Sequence, residues 1–188
     1  MPRPKSFVPT DAVRAARDHF WRYGYEATTL RDLEAVTRLN RSSLYQAFGT
    51  KRHLFDLALD SYLAEVAWPR LAPVEEPGAG PANVAGYFSS LAAALTAAPP
   101  EIAVRGCLIV NTITELGAHD ADARAVGTAY RDRIRRAFAA AFATAMPVDA
   151  AARRAEATTA VLIGLLVTAR VDVSAAIAIA GTAATEPG

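Results

Sequence analysis

Side chains able to hydrogen-bond nucleic-acid bases and phosphates are concentrated between residues 29 and 51 of the 188-residue chain. Arginine can bind the edge of a guanine through two donors, glutamine can do the same for adenine, and hydroxyl groups serve either base. Lysine and tyrosine are common contacts to phosphates, which position a protein on a duplex without reading its sequence. The candidate DNA contacts are Thr29, Arg38, Arg41, Ser42, Ser43, Tyr45, Gln46 and Lys51.

Two short predicted helices carry these side chains. Apolar residues at steps of three and four predict a longer first helix that ends near Tyr23. Thr29 can cap a helix over 30–37, and Asn40 can cap another over 41–48. Two short helices joined by a three-residue turn and held by a longer helix form a helix-turn-helix, which can place its second helix in a DNA major groove.

The order of these residues resembles the N-terminal signature of the tetracycline-repressor (TetR) family. In that pattern a Thr-Thr pair precedes a short helix, and the next helix ends Leu-Tyr-x-x-Phe-x-x-Lys with a leucine soon after. Here Tyr45, Phe48, Lys51 and Leu54 fall in register, and the resemblance extends over about residues 10–55. It implies a dimeric regulator of nine helices, a repressor released from a palindromic operator when a small molecule binds its C-terminal body.

Two positions depart from that pattern. Thr37-Arg38 stands where the family usually has Ala-Gly, and Glu34 replaces a usual alanine. If the backbone at Arg38 is left-handed, arginine costs roughly 1 kcal/mol relative to glycine, which a phosphate contact would offset. The departures support an alternative, a helical small-molecule-binding protein without DNA binding.

Charge is distributed unevenly along the chain, although the formal net charge is only +1. Residues 1–55 contain ten Lys and Arg against five Asp and Glu, whereas residues 56–188 contain ten against fourteen. A basic module on an acidic body is typical of a protein that presents one end to phosphates. We therefore predict a DNA-binding domain over 1–55, to which Arg3 and Lys5 add phosphate contacts, and a ligand-binding and dimerisation domain over 56–188.

The remainder of the chain is also predicted to be helical. Alanine, the best helix former, dominates the 52% of hydrophobic residues, and no alternating strand pattern occurs. Prolines and glycines between 69 and 81 predict a loop after a fourth helix over 51–68. The expected fold is all-α with about nine helices, the later ones at 82–97, 101–117, 121–145, 149–171 and 174–184.

Polar residues recur on the predicted helix over 101–117. On a continuous helix Cys107, Asn111 and Thr114 share one side, which is typical of either satisfied core residues or a pocket lining. The segment resembles one in TetR-family branches that respond to reactive electrophiles, where a cysteine is the sensor, or to small unsaturated acids. The apolar neighbours of Cys107 instead favour an inert packed thiol. The candidate ligand residues are Tyr62, Tyr87, Cys107, Asn111, Thr114 and Tyr130, although core packing explains each aromatic side chain equally well.

The predicted helix over 149–171 is apolar almost all round, which indicates burial on more than one side. Small residues along it permit close approach of a second helix. With the apolar last helix, the pattern resembles the four-helix dimer interface of the TetR family. We predict a homodimer whose interface includes Leu162, Leu166 and Ala169, with a wholly internal helix as the alternative.

Several classes of site are not expected from this sequence. The single cysteine excludes an intramolecular disulfide and a cysteine-based structural zinc site. Glu115 and His119 are four residues apart, but Gly117 interrupts the helix between them, and Asp120 fits better as the cap of the next helix. We therefore expect no metal, no cofactor and no enzyme activity. No segment has the pattern of a signal peptide or the length of a membrane span, which predicts a cytoplasmic protein without a membrane partner.

Overall fold

A computed structural model describes residues 8–185, so the predicted phosphate contacts at Arg3 and Lys5 lie outside the described residues. Within residues 8–185 every regular element is a helix, which confirms the all-α prediction. None of the helices in this described part combines the length and apolarity that a bilayer span requires. The chain divides into two compact units, Met1–Val66 and Ala67–Gly188.

The N-terminal unit contains the predicted helix-turn-helix. Its helices are α1 (Pro9–Tyr23), α2 (Leu30–Thr37), α3 (Arg41–Phe48) and α4 (Lys51–Tyr62). A π-helical turn, Leu63–Ala67, follows α4. The unit extends beyond residue 55 because α4 packs along α1 over most of its length.

The core of the N-terminal unit lies between α1 and α4. Phe20 of α1 and Phe55 of α4 are buried, and their ring centroids lie 4.9 Å apart in an edge-to-face arrangement. Leu33 of α2 and Leu44 and Phe48 of α3 complete this core. Because α2 and α3 bury so few side chains, α1 and α4 form the scaffold that positions them.

The C-terminal unit is built from pairs of packed helices. The longest, α9, packs against α10 and α8, while α11 packs against α6 and α10. Phe88 of α6, Phe138 of α9 and Leu162 of α10 lie in its core without solvent exposure. The helices of this unit are α5 (Trp68–Glu75), α6 (Pro81–Ala97), α7 (Pro100–Ala103), α8 (Leu108–Leu116), α9 (Ala121–Phe142), α10 (Val148–Thr168) and α11 (Val173–Thr185).

The segment predicted as a loop over 69–81 is helical as far as Glu75. Pro69 is the second residue of α5 and follows directly after the π-helical turn. Leu71 and Val74 are buried, so their packing holds the helix in spite of Pro73. Burial therefore overrides the local signal from proline, and only residues 76–80 form the loop.

The helix predicted over 101–117 is two helices, because the helical backbone is interrupted around Gly106. Its φ of +64° lies in the left-handed region, and a Cβ there would lie 2.7 Å from the carbonyl oxygen of Leu166. Cys107 consequently precedes α8 as its N-cap residue, and the predicted stripe with Asn111 and Thr114 along one continuous helix is wrong. With α5 and α7, residues 8–185 contain eleven α-helical segments rather than nine.

The face of α10 that was predicted to meet a partner lies in the core of the chain itself. Leu162 and Ala169 have no exposed surface, and Leu166 is only 7% exposed. Leu162 and Ala169 are therefore core residues of the chain itself, and Leu166 keeps only a small exposed surface. Another side of α10 exposes uncharged residues between 157 and 167, and we call them the α10 stripe: Ala157, Ala160, Val161, Gly164 and Val167.

Candidate nucleic-acid interface

Side-chain caps fix the start of both short helices. The Thr29 hydroxyl accepts a hydrogen bond from the Asp32 N–H at 3.2 Å, and the Asp32 carboxylate accepts one from the Thr29 N–H at 2.8 Å. The Thr29 hydroxyl also donates to the Asp32 carboxylate at 2.6 Å, and this bond, with that from the Thr29 N–H, holds the pKa of Asp32 below its usual value. Asn40 accepts from the Ser43 N–H at 2.8 Å and so caps α3. The predicted caps at Thr29 and Asn40 are confirmed, and with them the bounds of α2 and α3.

The turn between α2 and α3 is held in an uncommon conformation. Arg38 has φ 58° and ψ 24°, and it is the one non-glycine residue with positive φ among residues 8–185. The Thr37 hydroxyl donates to the Leu33 carbonyl oxygen at 2.6 Å and accepts from the Leu39 N–H at 3.3 Å. The hydrogen bonds of Thr37 therefore fix the backbone on both sides of Arg38. The Arg38 side chain is exposed, and glycine at residue 38 would adopt this backbone with less strain.

Replacing Arg38 with glycine is expected to stabilise the N-terminal unit by roughly 0.5–1 kcal/mol, because glycine adopts this backbone without a Cβ clash. The same change should weaken DNA binding, because it removes a cation from the turn. Urea unfolding and a duplex-binding titration measure the two effects. Arg38→Ala is the matched control: it removes the charge and keeps the strain, so it should lose affinity without gaining stability. If Arg38→Gly has the same free energy of unfolding as the unchanged protein, Arg38 does not strain the backbone.

The exposed face of α3 carries most of the candidate base contacts. Arg41, Ser42 and Gln46 are exposed, and Ser43 is half-buried. The Tyr45 side chain is 45% exposed, and the Arg41 guanidinium carbon lies 5.8 Å from the centre of its ring. Because Leu44 and Phe48 point into the core, α3 presents one fixed polar face of arginine, hydroxyl, phenol and amide groups.

A second basic group lies at the start of α4. The Lys51 ammonium lies 4.3 Å from the centre of the Tyr25 ring, and the Arg52 guanidinium carbon lies 6.0 Å from it. The same ring packs on Phe55, with centroids 4.8 Å apart, so it is anchored in the core. Tyr25 therefore restrains the candidate phosphate contact Lys51 through a cation–π interaction. The role of Tyr25 could not be predicted from the sequence, since no helical spacing relates residue 25 to residue 51.

Comparison with known proteins is consistent with this geometry. Residues 12–58 match the family model described as bacterial regulatory proteins, tetR family. The helix-turn-helix of this chain is therefore similar to that of the TetR family. Among its relatives, the uncharacterized HTH-type transcriptional regulator YezE of Bacillus subtilis (strain 168) is 36% identical over 120 residues, or 64% of this chain. The HTH-type transcriptional repressor ComR of Escherichia coli (strain K12) is 34% identical over 122 residues, also 64% of this chain.

These matches span 60% of the length of YezE and 56% of that of ComR. A solved structure covers more of this chain. A cysteine mutant of the TetR family transcriptional regulator CifR, complexed with 26 bp of double-strand operator DNA, superposes with a TM-score of 0.80. It is 26% identical and covers 98% of this chain and 99% of its own.

The six ligand candidates lie on different elements of the chain. Tyr62 lies in the N-terminal unit, where it is buried and its ring centroid is 4.9 Å from that of Trp21. Thr114 lies on the surface of α8, and its hydroxyl donates to the carbonyl oxygens of Val110 and Asn111. The Asn111 amide donates to the Arg105 carbonyl oxygen at 2.9 Å and so holds the chain that precedes α8.

The other three candidates lie in the core of the C-terminal unit. The Tyr87 ring meets Phe138 edge-on at 5.6 Å, and burial raises the pKa of its hydroxyl well above the ordinary value. The Cys107 thiol donates to the Tyr130 hydroxyl over 3.6 Å, and the Tyr130 ring packs on Trp68. Of the six candidates, only Tyr130 and Thr114 line a pocket between α8, α9 and α10.

Cys107 is expected to resist maleimide in the folded protein, because its side chain is only 1% exposed and its thiol is engaged by Tyr130. Mass spectrometry after a timed maleimide pulse should find labelling only after urea unfolds the C-terminal unit. Thr96→Cys, at an exposed position of α6, supplies the positive control for labelling. Rapid modification of Cys107 in the folded protein would favour the electrophile-sensor hypothesis over the packed thiol.

Proposed function

We propose that the chain is a dimeric, ligand-responsive transcriptional repressor whose α3 enters the major groove of a palindromic operator. The observation that carries this proposal is the polar face of α3 on a helix-turn-helix whose two short helices are capped by Thr29 and Asn40. Such a pair is a frequent means of placing side chains against base edges. A repressor acts where the chromosome is, so we place the protein in the cytoplasm and assign it no catalytic role.

The distribution of charge supports contacts to phosphates. Residues 1–55 contain twice as many basic as acidic side chains, ten against five, while the rest of the chain is acidic. Arg38 and Arg41 lie around the start of α3, and Lys51 lies at the start of α4, so positive charge flanks the face that would read bases. We propose these three as backbone contacts or, for Arg41, a base contact, and Ser42, Ser43, Tyr45 and Gln46 as the other contacts made by α3.

The α10 stripe supports a homodimer. Val161 and Val167 are 42% and 43% exposed, and Gly164 lies between them on the same side of the helix. An exposed apolar surface with a small residue at its centre allows a second helix to approach closely. A groove of about 430 Å³ beside the stripe, lined by Val161 and by Ile179 of α11, could receive side chains of the partner. Two-fold symmetry then predicts an operator with two inverted half-sites.

Selection from random duplexes, followed by salt titration, tests the function. The purified protein is expected to enrich a palindromic sequence and to bind it as a dimer or a pair of dimers. With three cations from each of two protomers at the phosphates, affinity should fall by about a thousandfold or more between 50 and 200 mM salt. Enrichment of no sequence, or an affinity independent of salt, would contradict the proposal.

The same selection distinguishes the proposed repressor from the alternative, a helical ligand-binding protein without DNA binding. The strain at Arg38 is the structural observation that favours it, because the turn departs from the glycine that would suit its backbone. That alternative predicts that no duplex is enriched and that the Arg38→Gly and Arg38→Ala variants differ only in stability.

A further inference from the structure

A pocket of about 240 Å³ lies in the C-terminal unit between α8, α9 and α10. Its walls are almost wholly apolar: Ile113 comes from α8, Tyr130 from α9, and Ile163 and Val167 from α10. Val167 also belongs to the α10 stripe, so the pocket opens beside the proposed dimer surface. An apolar cavity of this kind favours the nonpolar body of a small molecule.

Close packing of α8 against α9 determines the shape of the pocket. Gly127 of α9 faces Ile113 of α8, and a Cβ at residue 127 would overlap the Ile113 side chain. Tyr130, one turn further along α9, is held from behind by the hydrogen bond from the Cys107 thiol and by the Trp68 ring. Because both walls are fixed by contacts of their own, the pocket exists before a ligand arrives, which lowers the cost of binding.

Two arginines lie at the mouth of this pocket, and they differ in their partners. Arg131 forms ion pairs with Asp132, at 3.2 Å, and with Glu156, so its charge is compensated within the chain. The Arg124 Nε donates to the Gly117 carbonyl oxygen at 3.0 Å, which fixes the guanidinium without neutralising it. Among residues 8–185 no carboxylate pairs with Arg124. One uncompensated positive charge therefore stands at the entrance of an apolar pocket.

The remaining polar groups at the mouth do not compete with Arg124 for an anion. The Thr128 hydroxyl donates its hydrogen to the Arg124 carbonyl oxygen at 2.9 Å. The Thr114 hydroxyl donates to backbone carbonyl oxygens of its own helix. Both threonines thus offer a ligand only oxygen lone pairs, whereas the terminal nitrogens of Arg124 can bind both oxygens of a carboxylate.

We propose that this pocket binds a small monocarboxylate, with its apolar body between α8, α9 and α10 and its carboxylate on Arg124. An apolar cavity of about 150 Å³ holds benzene, so a pocket of about 240 Å³ accommodates roughly ten non-hydrogen atoms. Benzoate and acids of similar size meet this limit. The inference names the ligand class of the proposed regulator, and it rests on the proposed function only for the effect of binding on DNA.

Titration calorimetry of the full-length protein with benzoate, in the absence of DNA, tests the pocket. We expect saturable binding of one benzoate per protomer and at least tenfold weaker binding of benzyl alcohol, which has a similar size and no charge. Arg124→Gln should reduce the affinity for benzoate about tenfold or more, to that of the alcohol, because a charge-assisted bidentate contact is lost. Arg136→Gln is the matched control, since Arg136 is an exposed arginine of the same helix outside the pocket, and it should bind as the unchanged protein does.

A second variant tests the location through volume rather than charge. Thr128→Phe places a ring at the mouth from an exposed position of α9, and it should weaken binding of both benzoate and benzyl alcohol. Absence of benzoate binding, or binding unaffected by Arg124→Gln, would overturn the inference. A protein that selects a duplex but ignores benzoate overturns the pocket and leaves the proposed function. A protein that binds benzoate through Arg124 but selects no duplex supports the pocket and overturns the proposed function.

Discussion

Leu162→Arg is expected to unfold the C-terminal unit, whereas Val161→Arg should leave it folded and separate the protomers. The two residues are adjacent on α10, but Leu162 has no exposed surface and Val161 is 42% exposed. Arginine at residue 162 would bury a charge without a partner in the apolar core of the C-terminal unit, at a cost of roughly 5 kcal/mol or more. That cost approaches the whole stability of an ordinary domain, about 5–15 kcal/mol.

Arginine at residue 161 can instead extend into solvent within a single protomer, so it should cost the fold little. In the dimer it would set two like charges against each other near the two-fold axis. Circular dichroism with urea unfolding reports the fold, and sedimentation equilibrium reports the association state. A Val161→Arg protein that stays dimeric would show that the α10 stripe is not the interface. A folded Leu162→Arg protein would contradict the burial of Leu162 in the core of the C-terminal unit.

Arg41→Ala and Gln46→Ala are expected to change which duplex the protein prefers, each with a loss of about 1–3 kcal/mol on the best sequence. Both side chains are exposed on α3, where a groove-bound helix meets base edges. Lys51→Ala should weaken binding to all duplexes about equally and lower the salt dependence, because a phosphate contact carries no sequence information. Competition selection on each variant measures preference and affinity together.

Tyr45 requires two variants, because its ring lies against the Arg41 guanidinium. Tyr45→Phe removes a hydroxyl group and keeps the ring, so it should weaken binding uniformly if the hydroxyl contacts a phosphate. Tyr45→Ala also frees Arg41, and it should shift the preference in the same direction as Arg41→Ala. If the preference is unchanged in Arg41→Ala, Gln46→Ala and Tyr45→Ala alike, α3 does not read the operator.

The helix-turn-helix could be predicted almost to the residue because its signals are local. Thr29 and Asn40 cap their helices through bonds that span three residues, and the sequence displays both partners of each bond. The left-handed turn at Arg38 was also foreseeable, since it falls where a helix must end and another begin within three residues. Hydrogen bonds and backbone conformations that depend on neighbouring residues can be predicted from the sequence.

The C-terminal unit was harder to predict because distant contacts decide its geometry. Gly106 lies between α7 and α8, where the chain passes the Leu166 carbonyl oxygen, sixty residues further along, and no pattern near residue 106 displays that contact. The helix α10 is apolar on nearly every side, so its periodicity could not separate the buried Leu162 from the exposed Val161. The uncompensated charge at the Arg124 pocket likewise depends on which arginine of α9 pairs with a carboxylate. Tertiary packing determines that pairing.

The small number of side chains that α2 and α3 bury has a consequence for local stability. An eight-residue helix has little stability of its own in water, and these two are anchored mainly by Leu33, Leu44 and Phe48. Their backbone amides should therefore open in sub-global fluctuations that leave the contact between Phe20 and Phe55 intact. A duplex that binds α3 requires α2 and α3 to be folded, so part of its binding free energy suppresses these fluctuations. Operator binding would then slow hydrogen exchange throughout α2 and α3, including amides that never approach the DNA.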